Sequence, residues 1–279
     1  MLTFQGYPRP TGRAGVRNHV IVLSTVSCAN AVAMNIERAV RGVVAVTHEH
    51  GCSQVGADLQ QTIDTLVGVG CNPNVYATLV VSLGCEAIPA RELADRIAAS
   101  GKPTELIVIQ DAGGSTRATE LGKDVVRRWA RRARRMERVP CPISDLMLAL
   151  QCGGSDGWSG LTANPALGRA SNMLVAAGGT ALLAETPELI GAEHLMNRPG
   201  SDPAAVQQLF AAIAAFENEV RRLGVDPRGA QPTPGNMAGG LTTIEEKSLG
   251  ASMKGGSTPL QEFVRYAQPP SKRGLVMMD

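Results

Sequence analysis

The fold is decided by residues 19–48, which read HVIVLSTVSCANAVAMNIERAVRGVVAVTH. Residues 19–25 form an apolar run rich in β-branched side chains, and residues 29–40 carry apolar side chains at helical spacing. A second apolar run follows at residues 43–48. Two short apolar strands joined by a helix are typical of the unit from which parallel sheets are built.

The same alternation continues along the chain. Further strands are predicted at residues 77–84, 105–110, 145–151 and 180–185, each separated from the next by a helical pattern. Strands that are apolar throughout are buried on both faces of a sheet. The sequence therefore predicts an α/β fold, an open three-layer arrangement with a mostly parallel sheet and helices on both faces.

Changes in amino-acid composition divide the chain into three predicted segments. Residues 1–17 are rich in Pro and Gly and are expected to form an extended N-terminal arm, and residues 18–225 form the α/β domain. Residues 226–279 are predicted to be an extended irregular Gly/Pro-rich C-terminal segment. Residues 272–279 (KRGLVMMD) resemble a basic turn entering a buried strand, so this segment is expected to lead toward a further C-terminal domain.

Composition excludes several classes of protein. The chain has 279 residues, 44% of them hydrophobic and 19% charged, with a net charge of +2. These values argue against a strongly basic nucleic-acid binder and a disordered acidic tail. No apolar run is long enough to span a membrane, and the N-terminus has no secretory signal. We therefore expect a cytoplasmic protein with reduced cysteines and without membrane or nucleic-acid partners.

One basic cluster stands apart from this neutral composition. Residues 127–138 contain seven arginines, with Trp129 as the one aromatic side chain among them. A solvated or interdomain helix is favoured over a nucleic-acid patch, because nucleic-acid surfaces usually interleave more aromatic residues.

Chemistry-bearing side chains follow the predicted strands at their carboxyl ends. They are Cys28, His48, His50, Cys52, Cys85, Glu86, Asp111, Cys152, Ser155, Asp156 and Glu185. In an open parallel sheet these ends share one edge, where ligands bind. Because thiolates and imidazoles suit iron or zinc, the four cysteines of this group are candidate metal ligands.

The residues alone leave several alternatives open. Any single cysteine could instead be a buried structural residue. Three separated cysteines could also hold three irons of a four-iron cluster. His48 and His50 alternate along the chain, so one is a candidate ligand or base and the other a hydrogen-bonded support. Glu86 is a candidate catalytic carboxylate.

Two polar segments could hold an anionic substrate. Residues 153–168 form a Gly-rich loop before a helix, whose backbone N–H groups could bind a carboxylate. Residues 234–256 contain Lys247 and Lys254, either of which could neutralise a substrate carboxylate or act as a base. A plain connecting loop and solvated lysines are the alternatives. The candidate substrate-binding residues are Gly153, Ser155, Asp156, Asn164, Asn236, Thr242 and Thr243.

Six stretches together resemble the altronate/galactarate dehydratase family. They are GYPRPTGRAGVRNHVIVLSTVSCAN (6–30), THEHGCSQVGADL (47–59), GCNPNVYATLVVSLGCE (70–86), QCGGSDGWSGLTANPALG (151–168), LLAETPELIGAEHL (182–195) and PGNMAGGLTTIEEKSLG (234–250). The resemblance runs through nearly the whole chain. It implies an iron-dependent lyase that converts an aldonate or aldarate to a 2-keto-3-deoxy acid. The related sulfolactate sulfo-lyases eliminate sulfite, and the H-x-H-G-C pattern at 48–52 favours the dehydratases.

The resemblance also implies roles for individual residues. Iron, as Fe²⁺ or an iron–sulfur cluster, would be held by Cys28, Cys85 and Cys152. His48 or His50 would be an alternative ligand or the acid/base. Lys254 or Lys247, with residues 153–160, would hold the carboxylates of a sugar acid.

The family resemblance further implies partners. Family members have a small N-terminal β-rich domain or subunit and continue into a further α/β domain, so this chain is expected to be the central domain of such an enzyme. A homo-oligomer is also compatible with the sequence. The alternatives are another hydroxy-acid lyase, such as a sulfo-lyase, and a non-catalytic metal-binding module. Structural zinc sites favour close C-x-x-C pairs, which argues against the module.

Overall fold

A computed structural model of the chain describes residues 2–279. It is an α/β structure of parallel sheets flanked by helices, with no closed barrel among these residues, so the predicted fold class is confirmed. The described chain divides into two compact units: the first is Thr3–Cys141, and the second contains Leu2 and Pro142–Asp279. Each unit has a parallel sheet of its own.

The first unit is built on a four-stranded parallel sheet. In chain order its elements are β1 (Thr3–Gly6), β2 (His19–Ser24), α1 (Asn30–Ala39), β3 (Val43–Val46), α2 (Gly56–Cys71), β4 (Val75–Ser82), α3 (Ala90–Ala98), β5 (Thr104–Val108), α4 (Ser115–Arg135) and β6 (Val139–Pro142). The parallel sheet has the order β3-β2-β4-β5. The predicted N-terminal arm contributes β1, which pairs with β6 in a two-stranded sheet.

Alternating side chains of β4 pack into two different helical layers. Leu79 and Val81 share a buried cluster with Ile36 of α1 and Val126 of α4. Val80 points the other way, into a second cluster with α2 and α3. This period of two places a layer of helices on each face of the sheet, as the apolar strand sequences predict.

The second unit also contains a four-stranded parallel sheet. Its elements are β7 (Met147–Leu150), α5 (Gly157–Leu161), α6 (Ala163–Ala176), β8 (Thr180–Leu183), α7 (Pro203–Arg222), α8 (Pro234–Ala238), α9 (Ile244–Ser252), β9 (Leu260–Val264) and β10 (Gly274–Met278). The strand order is β7-β8-β10-β9. Leu209 and Ile213 of α7 share a buried cluster with Leu275 and Met277 of β10.

The structure divides the chain differently from the sequence interpretation. Residues 18–225, expected to form one domain, contribute strands to two sheets, and the boundary lies at residue 142. Part of the predicted irregular segment, residues 226–279, forms α8, α9, β9 and β10. The alternation of strands and helices along the sequence does not reveal which strands pair. One of the two partners of β10 is β8, about ninety residues earlier in the chain.

The arginine-rich stretch forms the last turns of α4. Trp129, Ala130 and Ala133 are buried, whereas the arginines between residues 127 and 135 are exposed. This arrangement agrees with the expectation of a solvated helix. Within residues 2–279, no helix is long and apolar enough to cross a membrane.

Candidate functional site

Three loops gather at the carboxyl edge of the first sheet. They are residues 25–30, 47–55 and 83–89, named here the switch-point loops. The chain leaves β2 toward β3 on one side and later reaches β4 on the other, and ligands of open parallel sheets bind at such a reversal. Ser27 N donates to His50 O at 3.1 Å, and Ala87 N donates to Gly51 O at 3.0 Å. The sequence prediction that these loops meet therefore holds within this unit.

Gly51 allows the close approach of two switch-point loops. Its φ is +104°, and a Cβ at this position would lie 2.3 Å from Thr25 O. Only glycine satisfies both the backbone conformation and the contact.

The two histidines of this edge differ in the state of their rings. His48 Nδ1 accepts from the backbone N–H of His50 at 3.1 Å, which leaves the proton on Nε2, 2.9 Å from Ser24 O. Burial lowers the pKa of His48, although the Ser24 hydrogen bond opposes this effect. Both ring nitrogens are engaged, so His48 supports the loop. His50 is exposed and remains the candidate acid/base.

Glu86 links the loops that follow β2 and β4. Its Oε1 accepts from Thr25 Oγ1 at 2.5 Å, and its Oε2 accepts from Gly84 N at 2.7 Å. Burial raises the pKa of Glu86, but hydrogen bonds from Ser82, Thr25 and the loop backbone lower it below its usual value. An ionised carboxylate held on both oxygens is suited to fixing the loops and poorly suited to donating a proton.

The predicted metal ligands lie in different units. Cys28, Cys52 and Cys85 are exposed on the switch-point loops, whereas half-buried Cys152 follows β7 in the second unit. The argument that placed all four on one edge assumed one sheet and does not hold for two. Within residues 2–279, no three His, Cys, Asp or Glu side chains are arranged to hold a metal ion. The thiols of the switch-point loops remain candidate ligands, and we derive no step through a metal.

A strained residue that the sequence placed at the end of a strand, without assigning it a role, holds the loop after β7. Glu185 has φ of +74°, a left-handed conformation that costs non-glycine residues about 1 kcal/mol or more. Its carboxylate accepts from Cys152 N at 2.8 Å and from the Gln151 side chain at 3.2 Å. The Cys152 thiol lies 3.3 Å from Ser155 Oγ. The one signal in the sequence was the position of Glu185 after a strand.

The loop expected to bind an anion through its backbone is already hydrogen-bonded. Asp156 caps α5 by accepting from Ser159 N at 2.6 Å, and Asp156 N donates to Ser159 Oγ at 2.8 Å. Gly157 N donates to Gly239 O at 2.9 Å. These three N–H groups are therefore engaged within the protein, and an anion site on the rest of residues 153–168 stays a prediction.

The second unit contains a cavity of about 330 Å³ between α5, α6 and α9, named here the α5–α9 cavity. Predicted site residues line it, namely Ser155, Asp156, Asn164 and Lys247. The Asn164 amide donates to Gly250 O at 2.9 Å, which ties α6 to α9. Exposed Leu161 and Leu249 stand among the other lining residues, so the cavity combines polar groups with an apolar rim.

The two candidate lysines have opposite surroundings. Lys247 Nζ lies 3.1 Å from Glu188 Oε1 and 3.1 Å from Gln231 Oε1. Lys254 is only 5% exposed, and within residues 2–279 its Nζ has no hydrogen-bond or carboxylate partner. The side chain is largely buried, whereas its Nζ is not among the fully buried atoms without a partner and so retains contact with solvent. Of the two candidate lysines, Lys254 is therefore the one without a carboxylate partner.

The remaining predicted substrate-binding residues hold the local structure. Asn236 Nδ2 donates to Ser155 O at 2.8 Å. Thr243 caps α9, and Thr242 Oγ1 donates to Glu246 Oε2 at 2.6 Å. Gly153 is exposed and faces open space. Four of the seven predicted residues therefore do not line the α5–α9 cavity: Gly153, Asn236, Thr242 and Thr243.

Each of the two units matches a different family model. Residues 6–134 match the family model described as D-galactarate dehydratase/altronate hydrolase, second domain. Residues 143–279 match the model described as D-galactarate/altronate dehydratase, C-terminal. The expectation of a central domain alone is therefore too narrow, because the second unit matches a C-terminal model.

Three relatives illustrate the similarity. Altronate dehydratase of Bacillus subtilis is 34% identical over 289 residues, which cover 99% of this chain and 57% of that protein. The (2R)-sulfolactate sulfo-lyase subunit beta of Chromohalobacter salexigens is 38% identical over 279 residues, covering 99% and 71%. Galactarate dehydratase (L-threo-forming) of Escherichia coli is 31% identical over 294 residues, covering 98% and 56%. The chain thus spans little more than half the length of these dehydratases.

Proposed function

Because the chain belongs to the D-galactarate/altronate dehydratase family, we propose that it forms the greater part of a lyase that removes water from a sugar acid. The substrate class is an aldonate or aldarate such as altronate or galactarate, and the product is a 2-keto-3-deoxy acid. The names of three relatives, two altronate dehydratases and a galactarate dehydratase, support this class of reaction.

The reaction places two demands on the protein. A base removes the proton from C2, and the C3 hydroxyl takes up a proton and leaves as water. The enol then rearranges to the keto acid. Negative charge builds up beside the carboxylate when the C2 proton leaves, so a cation held near the carboxylate stabilises the transition state.

The observation that carries the proposal is the unpartnered ammonium of Lys254. A substrate carboxylate would supply the counter-charge that this buried side chain lacks. Lys247 is less suited to the role, because Glu188 and Gln231 already engage it. We therefore assign carboxylate binding to Lys254 and a supporting role at the α5–α9 cavity to Lys247.

Within the first unit taken by itself, His50 is the proposed acid/base of the switch-point loops. It is exposed, whereas both ring nitrogens of His48 are bonded. His48 stabilises its loop through hydrogen bonds to Ser24 and His50, and Glu86 fixes the neighbouring loop through Thr25 and Gly84. An iron requirement remains a separate prediction, resting on the exposed thiols of Cys28 and Cys85.

A second candidate is elimination of sulfite from a sulfolactate. It is favoured by the 38% identity to a sulfo-lyase subunit beta, of which the chain covers 71%. Both reactions begin with loss of the proton next to the carboxylate and differ in the leaving group. That relative is named as one subunit, subunit beta, which supports the expectation of a further domain or subunit as a partner.

Product formation distinguishes the two candidates. The purified 279-residue chain is supplied separately with altronate, galactarate and sulfolactate, and the release of 2-keto acid and of sulfite is followed. Keto acid from a sugar acid without sulfite supports the dehydratase, and sulfite from sulfolactate supports the second candidate. Saturable binding of each acid is measured in parallel by calorimetry. Absence of product together with absence of binding for all three acids would overturn both.

A further inference from the structure

A second cavity of the first unit lies at the amino edge of its sheet, on the side opposite the switch-point loops. Its volume is about 250 Å³. The polar residues that line it are Tyr7, Arg17, Asn18, His19, Arg134 and Arg138, and we name it the arginine pocket. No acidic residue lines it within the described chain.

The guanidinium groups reach the arginine pocket from separate parts of the chain. Arg17 precedes β2, Arg134 lies in the last turn of α4, and Arg138 follows that helix. The dipole of α4 favours cations at its carboxyl end, which explains Arg134 there. It does not explain Arg17, which comes from another loop.

Contacts with the protein use only some of the donors that these side chains carry. Arg138 donates to Val16 O at 3.2 Å, and its Cζ lies 5.3 Å from the centroid of the Tyr7 ring. Arg138 also donates to Gln5 O at 3.4 Å, Arg134 donates to Arg41 O, and Arg17 donates to Val16 O at 3.0 Å. Each guanidinium carries five N–H donors, so most remain available.

These arginines also lack counter-charges. Within residues 2–279, no carboxylate forms an ion pair with Arg17, Arg134 or Arg138, although Arg127 and Arg128 of the same helix are paired. Three positive charges that line one pocket without an anion repel one another, although exposure to solvent screens that repulsion. A ligand carrying at least two negative charges would relieve that repulsion.

We propose that the arginine pocket binds a small molecule bearing a phosphate dianion. Guanidinium forks match the oxygens of a phosphate in geometry and charge. The volume of about 250 Å³ suits a phosphoryl group with a small attached part, and lies below the usual range for drug-sized ligands. This site is independent of the proposed lyase activity.

The test measures binding of inorganic phosphate and pyrophosphate to the 279-residue chain by calorimetry at constant ionic strength. The pocket variant is Arg134→Gln/Arg138→Gln. The control variant is Arg131→Gln/Arg132→Gln, which removes the same charge from exposed positions of α4 outside the pocket. We expect the pocket variant to weaken pyrophosphate binding about a hundredfold and the control to change it less than about threefold, since one charge-assisted hydrogen bond contributes about tenfold.

Three outcomes would overturn the proposal. They are the absence of saturable binding, equal weakening in the two double variants, and much tighter binding of a single-stranded oligonucleotide that both double variants weaken equally. The last would point to the exposed arginine face of α4. Thermal unfolding without ligand checks that the pocket variant is folded. If it is not, Arg17→Gln leaves the contacts of α4 intact and is expected to weaken binding about tenfold.

Discussion

Replacing Lys254 with methionine should separate binding from stability. Lys254 is 5% exposed and its Nζ has no partner within residues 2–279. Methionine fills a similar volume without a charge. Replacing ionic groups in the protein interior with well-packed apolar side chains of similar volume is often neutral or stabilising. We therefore expect the free energy of unfolding of Lys254→Met to be equal to or higher than that of the parent chain.

Binding of a sugar acid should change in the opposite direction. Loss of one charge-assisted hydrogen bond to a carboxylate costs about 1.5–3 kcal/mol, which weakens binding roughly 10- to 150-fold. Lys247→Met is the matched control, because it removes the same group from a lysine that is paired with Glu188. Glu188 Oε2 already lacks a hydrogen-bond partner, so this variant should lose about 1.5–3 kcal/mol of stability.

Urea unfolding and calorimetric titration with galactarate or altronate measure both effects. The reasoning predicts that Lys254→Met retains stability and loses binding, and that Lys247→Met loses stability. If Lys254→Met unfolds at lower urea concentration than Lys247→Met while binding the sugar acids normally, Lys254 is a structural residue. The assignment of carboxylate binding to it would then be refuted.

Three further predictions concern the fold, the pH response and the thiols. Gly168→Ala should lower the free energy of unfolding by about 2 kcal/mol or more, because its Cβ would lie 2.1 Å from Met253 O. Gly153→Ala, at a position that faces open space, should change it by less than about 0.5 kcal/mol. Equal losses in urea unfolding would contradict the packing argument. Burial lowers the pKa of His48 below 6.5, so the unfolded chain binds a proton more readily than the folded chain. Stability should therefore fall as the pH drops through 6.5, with a shallower dependence in His48→Gln, and identical profiles would exclude His48 as the source. In anaerobically purified protein, Cys28→Ser and Cys85→Ser should lower the content of bound iron, whereas the control Cys71→Ser, at the end of α2, should not. If Cys28→Ser and Cys85→Ser both retain all of the iron, these two thiols are not ligands. If Cys152→Ser also loses iron, the predicted set of three thiols is retained.

The sequence predicted the strands of the first sheet because they are short, apolar and separated by helices. The carboxyl-edge rule then placed Cys28, His50 and Cys85 on loops of that sheet, and hydrogen bonds between these loops are present. The same rule failed for Cys152, because it assumes that successive strands share a sheet. Hydrogen-bond pairing between strands such as β8 and β10 depends on contacts across long stretches of sequence, which a local pattern does not contain.

Residue type alone also could not distinguish a supporting side chain from an available one. His48 and His50 look equivalent in THEHGC, and Lys247 and Lys254 look equivalent in their polar segment. The difference lies in the partners: His48 is bonded through both ring nitrogens, and Lys247 is paired with Glu188. Those partners come from other loops, so they could not be read from spacing.

The pattern of satisfied and unsatisfied groups supports a division of labour among the predicted residues. Glu86, His48 and Lys247 each satisfy a neighbouring polar group, so their loss should first affect the structure of a loop or cavity. Lys254 has no such partner although its side chain is largely buried. Selection for stability alone would favour an apolar side chain at position 254. Its presence is accounted for if a ligand supplies the anion, and the opposite effects expected for Lys254→Met on binding and stability follow from this one argument.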